Sequence, residues 1–274
     1  MKIIILLFIV NIFLYSKTTV LTIGTISSST LKKTARFQKF AKYVVEQLKD
    51  EDIKIKVVIP KDTATAIELI KNDKLNILFD SVYPTLFIKK HTNITMDAIR
   101  WKKGKKGYRS LIFVKKDSKI NLIEDLNGKT ISFEDEFSTS SYFIPKKEIE
   151  AKNLNISKYL SGENLVKYEF SQSEENTMLR VFYGRTDAGA IDDISFKFFD
   201  TKKFKIIYIS ELIPRQLVSF TANVDKKLKE KILNVFYKMH ENKVGKKILR
   251  KISKTKKFTP IKKQERITIK RYRL

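Results

Sequence analysis

Cysteine is absent from the 274-residue sequence, and its absence excludes several kinds of chemistry. Without a thiol the chain forms no disulfide, offers no cysteine nucleophile or thiolate metal ligand, and has no cysteine to carry a lipid anchor. Histidine is nearly as scarce, since only His91 and His240 occur, and neither has an acid or a second histidine at ligand spacing. We therefore predict no metal site.

Motifs for catalysis and nucleotide binding are missing as well. The sequence has no Gly-x-Ser-x-Gly elbow and no glycine-rich phosphate loop. Carboxylates occur in adjacent pairs at Glu174/Glu175 and Asp192/Asp193, but neighbours on a helix or strand point in different directions and do not act across one bond. We predict no cofactor and no enzymatic activity. An enzyme on the same architecture is the alternative, and a nucleophile–base pair in a ligand cleft would mark it.

Acidic residues are few relative to basic ones, with 30 Asp and Glu against 56 Lys and Arg and a formal net charge of +26. A strongly basic chain is a candidate for nucleic-acid binding. The lysines are spread along the whole length, however, and neither a zinc-finger spacing nor an RNA-binding aromatic motif is present. We interpret the charge as solvated surface and predict no nucleic-acid partner.

Long apolar runs are limited to the start of the chain. Lys2 is followed by an apolar run from Ile3 to Leu14, and then by Tyr15-Ser16-Lys17. One positive charge, about a dozen apolar residues and a small residue are typical of a secretory signal peptide, whereas a membrane span needs about twenty apolar residues. We predict a signal peptide over residues 1–16 and a soluble protein exported to the periplasm.

The remaining sequence alternates between strand-like and helix-like patterns. Val20–Thr25 and Ile53–Ile59 read as strands, and apolar residues at three-and-four spacing from Lys33 to Leu48 predict a helix between them. The alternation starts again at Tyr108, and helices over Asp225–Ser253 precede a basic tail. This order predicts an α/β fold with mostly parallel sheets flanked by helices. We expect two lobes, the first from residues 17–107 plus 210–274 and the second from residues 108–209.

Polar residues stand at the predicted strand ends, where ligands bind in such folds. These segments are Ser27–Thr30, Asp80–Tyr83, Ser138–Ser141, Ser171–Asn176 and Asp192-Asp193. The run Ser138-Thr139-Ser140-Ser141 directly precedes a helix, so it offers hydroxyls and unpaired backbone N–H groups at the positive end of the helix dipole. It predicts an anion site, and a plain helix cap is the alternative.

Several segments resemble a known family, the phosphonate/phosphite/phosphate substrate-binding proteins of ABC importers, which are type II periplasmic binding proteins. The segments that carry the resemblance are Gly107–Ser110, Leu126–Glu134, Ser138–Pro145 and Gly184–Ala190. The resemblance implies a Venus-flytrap cleft that binds a small phosphate-like oxyanion and serves an ABC permease in the inner membrane. A receptor for a signalling partner is the alternative.

The resemblance also implies a set of ligand-binding residues. Ser138, Thr139, Ser140 and Ser141 would bind the oxyanion, with Tyr108 in the cleft. Glu174 stands where phosphonate binders carry a histidine, and Asp193 stands where an aminophosphonate binder places a glutamate on the ligand amine. A segment typical of a further branch of the family adds three residues, Asp80, Ser81 and Tyr83.

Overall fold

The structure is a computed structural model that describes residues 18–27, 30–160 and 162–272. The predicted signal peptide lies outside the described residues. The strands are β1 (Thr19–Gly24), β2 (Ile53–Val58), β3 (Ile77–Asp80), β4 (Thr95–Arg100), β5 (Gly107–Tyr108), β6 (Ser110–Lys115), β7 (Thr130–Phe133), β8 (Asn155–Ser157), β9 (Leu165–Phe170), β10 (Ala188–Asp192), β11 (Phe204–Ile209), β12 (Ile213–Pro214), β13 (Leu217–Phe220) and β14 (Phe258–Pro260).

Helices connect and cover these strands. They are α1 (Thr30–Gln47), α2 (Thr63–Lys71), α3 (Val82–His91), α4 (Ile144–Glu150), α5 (Glu174–Phe182), α6 (Asp193–Phe196), α7 (Lys226–Lys238), α8 (Lys243–Lys251) and α9 (Lys263–Arg271). A π-helical turn, Thr139–Phe143, leads directly into α4. Within the described ranges, no helix has the length and apolarity needed to cross a bilayer.

The strands form two six-stranded sheets, one for each lobe. The first sheet has the order β14-β4-β13-β3-β1-β2 and takes strands from both ends of the chain, whereas the second has the order β11-β6-β10-β7-β9-β8 and comes from its middle. A short ribbon of β5 and β12 lies where the chain passes between the sheets. The lobe boundaries given above stay a prediction.

The sheets are mixed rather than mostly parallel. In the first sheet β1 is parallel to β2 and β3, but β13 is antiparallel to both β3 and β4. The parallel strands follow one another through helical crossovers, as the alternating pattern predicts. β13 is different, because the chain reaches it only after returning from the second sheet. No crossover helix in the described segments connects β13 to β3 or β4, and β13 runs antiparallel to both. The sequence pattern does not reveal this reversal of direction.

The region predicted as a basic tail is folded against the first sheet. β14 pairs with β4, and Phe258 on it is buried among aromatic rings, 5.1 Å from the Phe236 ring and 5.9 Å from the Phe79 ring between centroids. The buried guanidinium of Arg100 donates to the Thr255 hydroxyl at 2.8 Å, so a side chain of β4 also holds this segment. The tail prediction was wrong because a few buried apolar residues are hidden among many lysines.

Replacing Phe258 with alanine tests this correction. We expect Phe258→Ala to lower the free energy of unfolding by about 3–5 kcal/mol, since it leaves a cavity in an aromatic core. Urea unfolding followed by circular dichroism measures the loss. The same substitution at Phe198, whose side chain is 80% exposed, is the control and should change stability by no more than about 0.5 kcal/mol. Equal and small effects at both positions would mean that the segment is a loosely attached tail.

Candidate functional site

A cavity of about 290 Å³ lies between the lobes, where strands of both sheets end. We call it the cleft. Asp80 ends β3, Glu134 follows β7 and Asp192 ends β10, so the carboxyl ends of strands from both sheets contribute to its wall. The lining residues are Ile26, Asp80, Ser81, Pro84, Lys102, Lys103, Tyr108, Glu134, Asp135, Phe137, Ser138, Thr139, Ser140, Glu174, Asp192 and Arg215.

The hydroxyl-rich segment forms one wall of the cleft as a helix cap. The Ser138 hydroxyl accepts a hydrogen bond from Ser141 N at 3.2 Å and donates to Glu134 Oε2 at 3.1 Å. Among the described residues, no hydrogen bond uses the backbone N–H of Thr139 or Ser140, which are the first residues of the π-helical turn. Two backbone donors at this wall therefore remain available to a ligand.

Tyr108 brings a further donor to the same wall. Its hydroxyl lies beside the side chains of Thr139 and Ser140. Burial raises the pKa of Tyr108 to about 12, so the phenol keeps its proton and its capacity to donate. The wall thus combines hydroxyls and amides that stay neutral at physiological pH.

The cap also links the two lobes directly. Tyr83 N, at the start of α3, donates to Thr139 Oγ1 at 2.9 Å. The Tyr83 ring stacks on the Phe143 ring with centroids 4.1 Å apart and an interplanar angle of 7°. Because Tyr83 follows a strand of the first sheet and Thr139 follows a strand of the second, the contact closes one side of the cleft.

Asp192 and Arg215 form a buried ion pair across the cleft. Arg215 Nη1 lies 3.1 Å from Asp192 Oδ2, and the two side chains are 7% and 2% exposed. Asp192 Oδ1 accepts from Ile194 N at 2.9 Å and from Ser195 N at 2.7 Å, which caps α6. The Arg215 guanidinium lies over the Tyr108 ring, 4.3 Å from its centroid. Burial acts to raise the pKa of Asp192, but the attraction of Arg215 and the hydrogen bonds from Glu174 and Ser195 N together outweigh it, and the pKa is lowered.

Glu174, at the start of α5, shares this environment but takes the opposite protonation state. Burial, with the charge of Asp192 as the next cause, raises the pKa of Glu174 to about 8. Its side chain is hydrogen-bonded to Asp192, and Lys103 Nζ lies 3.8 Å from Glu174 Oε2. Since the two acids are so close, Glu174 holds the proton at neutral pH and Asp192 holds the charge.

The other wall of the cleft carries both signs of charge. Asp80 accepts from Ser81 N at 2.7 Å and from Ile26 N at 3.3 Å, yet burial raises the pKa of Asp80 to about 6. Burial and repulsion by Arg215 lower the pKa of Lys102 to about 8. In the described part of the chain, no three His, Asp or Glu side chains are grouped so as to hold a metal ion.

The structure brings seven of the ten predicted ligand-binding residues together in the cleft wall. They are Asp80, Ser81, Tyr108, Ser138, Thr139, Ser140 and Glu174. Their role toward a ligand stays a prediction.

The other three predicted residues do not line the cleft. Ser141 is fully buried behind the cap, and its hydroxyl has no partner in the described structure. Tyr83 packs its ring on Phe143 and contributes only its backbone N–H. Asp193 lies just beyond the end of β10, where Oδ1 accepts from Arg109 N at 2.9 Å. Its neighbour Asp192 occupies the cleft instead, because successive residues at a strand end point to opposite sides.

The cations Lys102, Lys103 and Arg215 were not predicted as site residues. Arg215 stands between apolar segments, Ile213-Pro214 and Leu217-Val218, and a single arginine in such a setting was an available signal. Lys102 and Lys103 carry no comparable signal, since lysine pairs occur throughout the chain. Only the fold places them at the cleft.

Solved structures of other proteins share this architecture, and two of them illustrate the likeness. XAC2383 from Xanthomonas citri, bound to ATP, has a TM-score of 0.85 and 17% identity, covering 93% of this chain and 95% of its own. PhnD1 from Prochlorococcus marinus, in complex with methylphosphonate, has a TM-score of 0.69 and 19% identity, covering 93% of this chain and 97% of its own. At these identities the likeness shows the fold alone, and it confirms the two-lobed α/β fold.

Sequence comparison identifies the family. The phosphonates-binding periplasmic protein of Escherichia coli K12 is 30% identical over 143 residues, a match that spans 48% of this chain and 40% of that protein. The family model described as "ABC transporter, phosphonate, periplasmic substrate-binding protein" matches residues 23–265. The resemblance found in the sequence is thereby confirmed, and the chain belongs to the family of periplasmic substrate-binding proteins of phosphonate ABC transporters.

Proposed function

We propose that the chain is a periplasmic, non-enzymatic binding protein that captures a small oxyanion in the cleft and delivers it to an ABC permease. The observation that carries the proposal is the cap wall, where two unused backbone N–H groups meet the hydroxyls of Thr139, Ser140 and Tyr108. A tetrahedral oxyanion has several acceptor oxygens and is held best by fixed donors in a site with little water. A phosphate, phosphite or phosphonate group meets this requirement.

Glu174 is compatible with an anionic ligand because of its raised pKa. An ionised carboxylate at this position would repel the oxyanion. With a pKa of about 8, Glu174 is mainly protonated at neutral pH and shares its proton with Asp192, so it is a neutral group that does not repel the oxyanion.

The fold and the relatives support the rest of the proposal. The cleft lies between two lobes joined near β5 and β12, so a hinge motion there would open and close it on the ligand. The solved relatives were captured with methylphosphonate and with ATP, and both ligands carry a phosphorus oxyanion. The ligand would stabilise the closed form, and a permease would recognise and bind that form.

Removing the Thr139 hydroxyl tests the oxyanion site. We expect Thr139→Ala to weaken binding of methylphosphonate and orthophosphate by about tenfold or more, because a hydrogen bond to a charged group is lost. Isothermal titration calorimetry measures the affinities. Thr139→Ser keeps the hydroxyl and should bind nearly as well as the wild type. If neither anion binds the wild type, or if Thr139→Ala binds as tightly, the oxyanion proposal fails.

The raised pKa of Glu174 leads to a second prediction, which concerns how the stability of the folded protein depends on pH. The folded pKa of about 8 lies above the unfolded value of about 4.3, so the folded state holds more protons between these values and stability falls as pH rises through them. Glu174→Gln removes this fall. The quantity to compare is the free energy of unfolding of the variant minus that of the wild type. We expect this difference to be more positive at about pH 9 than at about pH 5, by at least about 1 kcal/mol.

Urea unfolding of the ligand-free protein at both pH values provides the measurement. Glu175→Gln is the matched control, since Glu175 is the next residue on α5 and is exposed. It should change stability equally at the two pH values. A Glu174→Gln effect that does not depend on pH would show that Glu174 is ionised across this range.

A further inference from the structure

A second, larger cavity adjoins the cleft. It has a volume of about 860 Å³ and also lies between the lobes. Its lining residues are Arg36, Lys102, Lys103, Ile194, Phe198, Arg250, Lys251, Ser253 and Lys254. Every charged residue in this wall is a cation, whereas the cleft wall contains carboxylates as well. We call it the basic cavity.

The basic cavity and the cleft share part of their wall, since Lys102 and Lys103 line both. Lys103 Nζ donates to Ser195 Oγ at 3.1 Å and thus contacts the second lobe. The Lys102 ammonium forms no hydrogen bond or ion pair with any described residue, and burial with repulsion by Arg215 and Arg100 lowers its pKa. An unpaired cation that is partly removed from water gains most from an anion placed beside it.

The backbone around the basic cavity is held in an unusual conformation. Lys103, Ser253 and Lys254 have φ angles of 53°, 56° and 50°, although none of them is a glycine. Lys103 N donates to Ser253 O at 3.0 Å, which joins the two segments. A left-handed backbone is unfavourable for a residue with a side chain, and such strain is concentrated at binding sites. Here it brings cationic segments together at one opening.

We propose that the basic cavity is a second anion subsite, which takes the distal phosphates of a compound carrying a chain of two or more phosphates. The phosphate at one end of the chain occupies the cleft, so the inference rests on the proposed function. Lys102 and Lys103 lie at the junction, and Arg36, Arg250 and Lys254 surround the distal phosphates. A chain of phosphates carries several closely spaced negative charges, which match the closely spaced arginine and lysine side chains of this cavity. The exposed Phe198 ring offers an apolar face to an organic group at the far end.

Tripolyphosphate and orthophosphate separate the two subsites. By calorimetry at physiological salt, we expect the wild type to bind tripolyphosphate at least about tenfold more tightly than orthophosphate. The variant Arg250→Gln/Lys254→Gln should lose most of this advantage while its affinity for orthophosphate is unchanged. Thr139→Ala should weaken the binding of both ligands, because both place a phosphate at the cap.

A matched control excludes attraction by the overall positive charge. Lys226→Gln/Lys227→Gln also removes two cations, at the exposed start of α7 and outside both cavities, and should keep the tripolyphosphate advantage. The proposal is overturned if tripolyphosphate binds no more tightly than orthophosphate, or if both double variants lose the advantage equally. It is also overturned if Arg250→Gln/Lys254→Gln keeps the tripolyphosphate advantage but no longer binds anionic phospholipid vesicles. In that case the cations face a membrane. Failure of the proposed function is separate, because the wild type would then bind neither orthophosphate nor methylphosphonate.

Discussion

Asp192 is the residue on which the geometry of the cleft depends. One of its oxygens caps α6 through two backbone N–H groups, and the other pairs with Arg215. Arg215 in turn lies over the Tyr108 ring, and the Tyr108 hydroxyl meets Thr139 and Ser140 on the cap. A buried carboxylate without these partners would be costly, so the contacts must form together. The pair therefore joins the second lobe to the chain segment that returns to the first.

The charge of the inter-lobe region differs from the charge of the whole chain. Although the net charge is +26, the cleft wall contains more carboxylates than cations. Burial raises the pKa of Glu134, Asp135 and Glu174, so these acids are easier to keep neutral than acids at the surface. The basic cavity beside the cleft contains no acid. The boundary between the two environments lies at Lys102 and Lys103, which suits a ligand that is anionic at more than one point.

Much of the fold could be predicted from the sequence, because α/β units are local patterns. The alternation predicted β1, α1 and β2, and the helices over Asp225–Ser253 correspond to α7 and α8. β14 and α9 were missed, since they are short and lie in a lysine-rich stretch. The cap of the cleft could be found because its residues are contiguous. Arg215 and Lys102 come from distant segments that only the folded chain brings together.

Glu174 shows why residue identity alone does not define a binding site. From the sequence, a carboxylate in place of a histidine indicates repulsion of an oxyanion. In the fold, the same side chain is buried beside Asp192, whose charge is already stabilised by Arg215. A second negative charge there is unfavourable, so Glu174 binds a proton, which it shares with Asp192, and is neutral. The carboxyl group at this position therefore adds no negative charge to the cleft, provided that Asp192 and Arg215 remain paired.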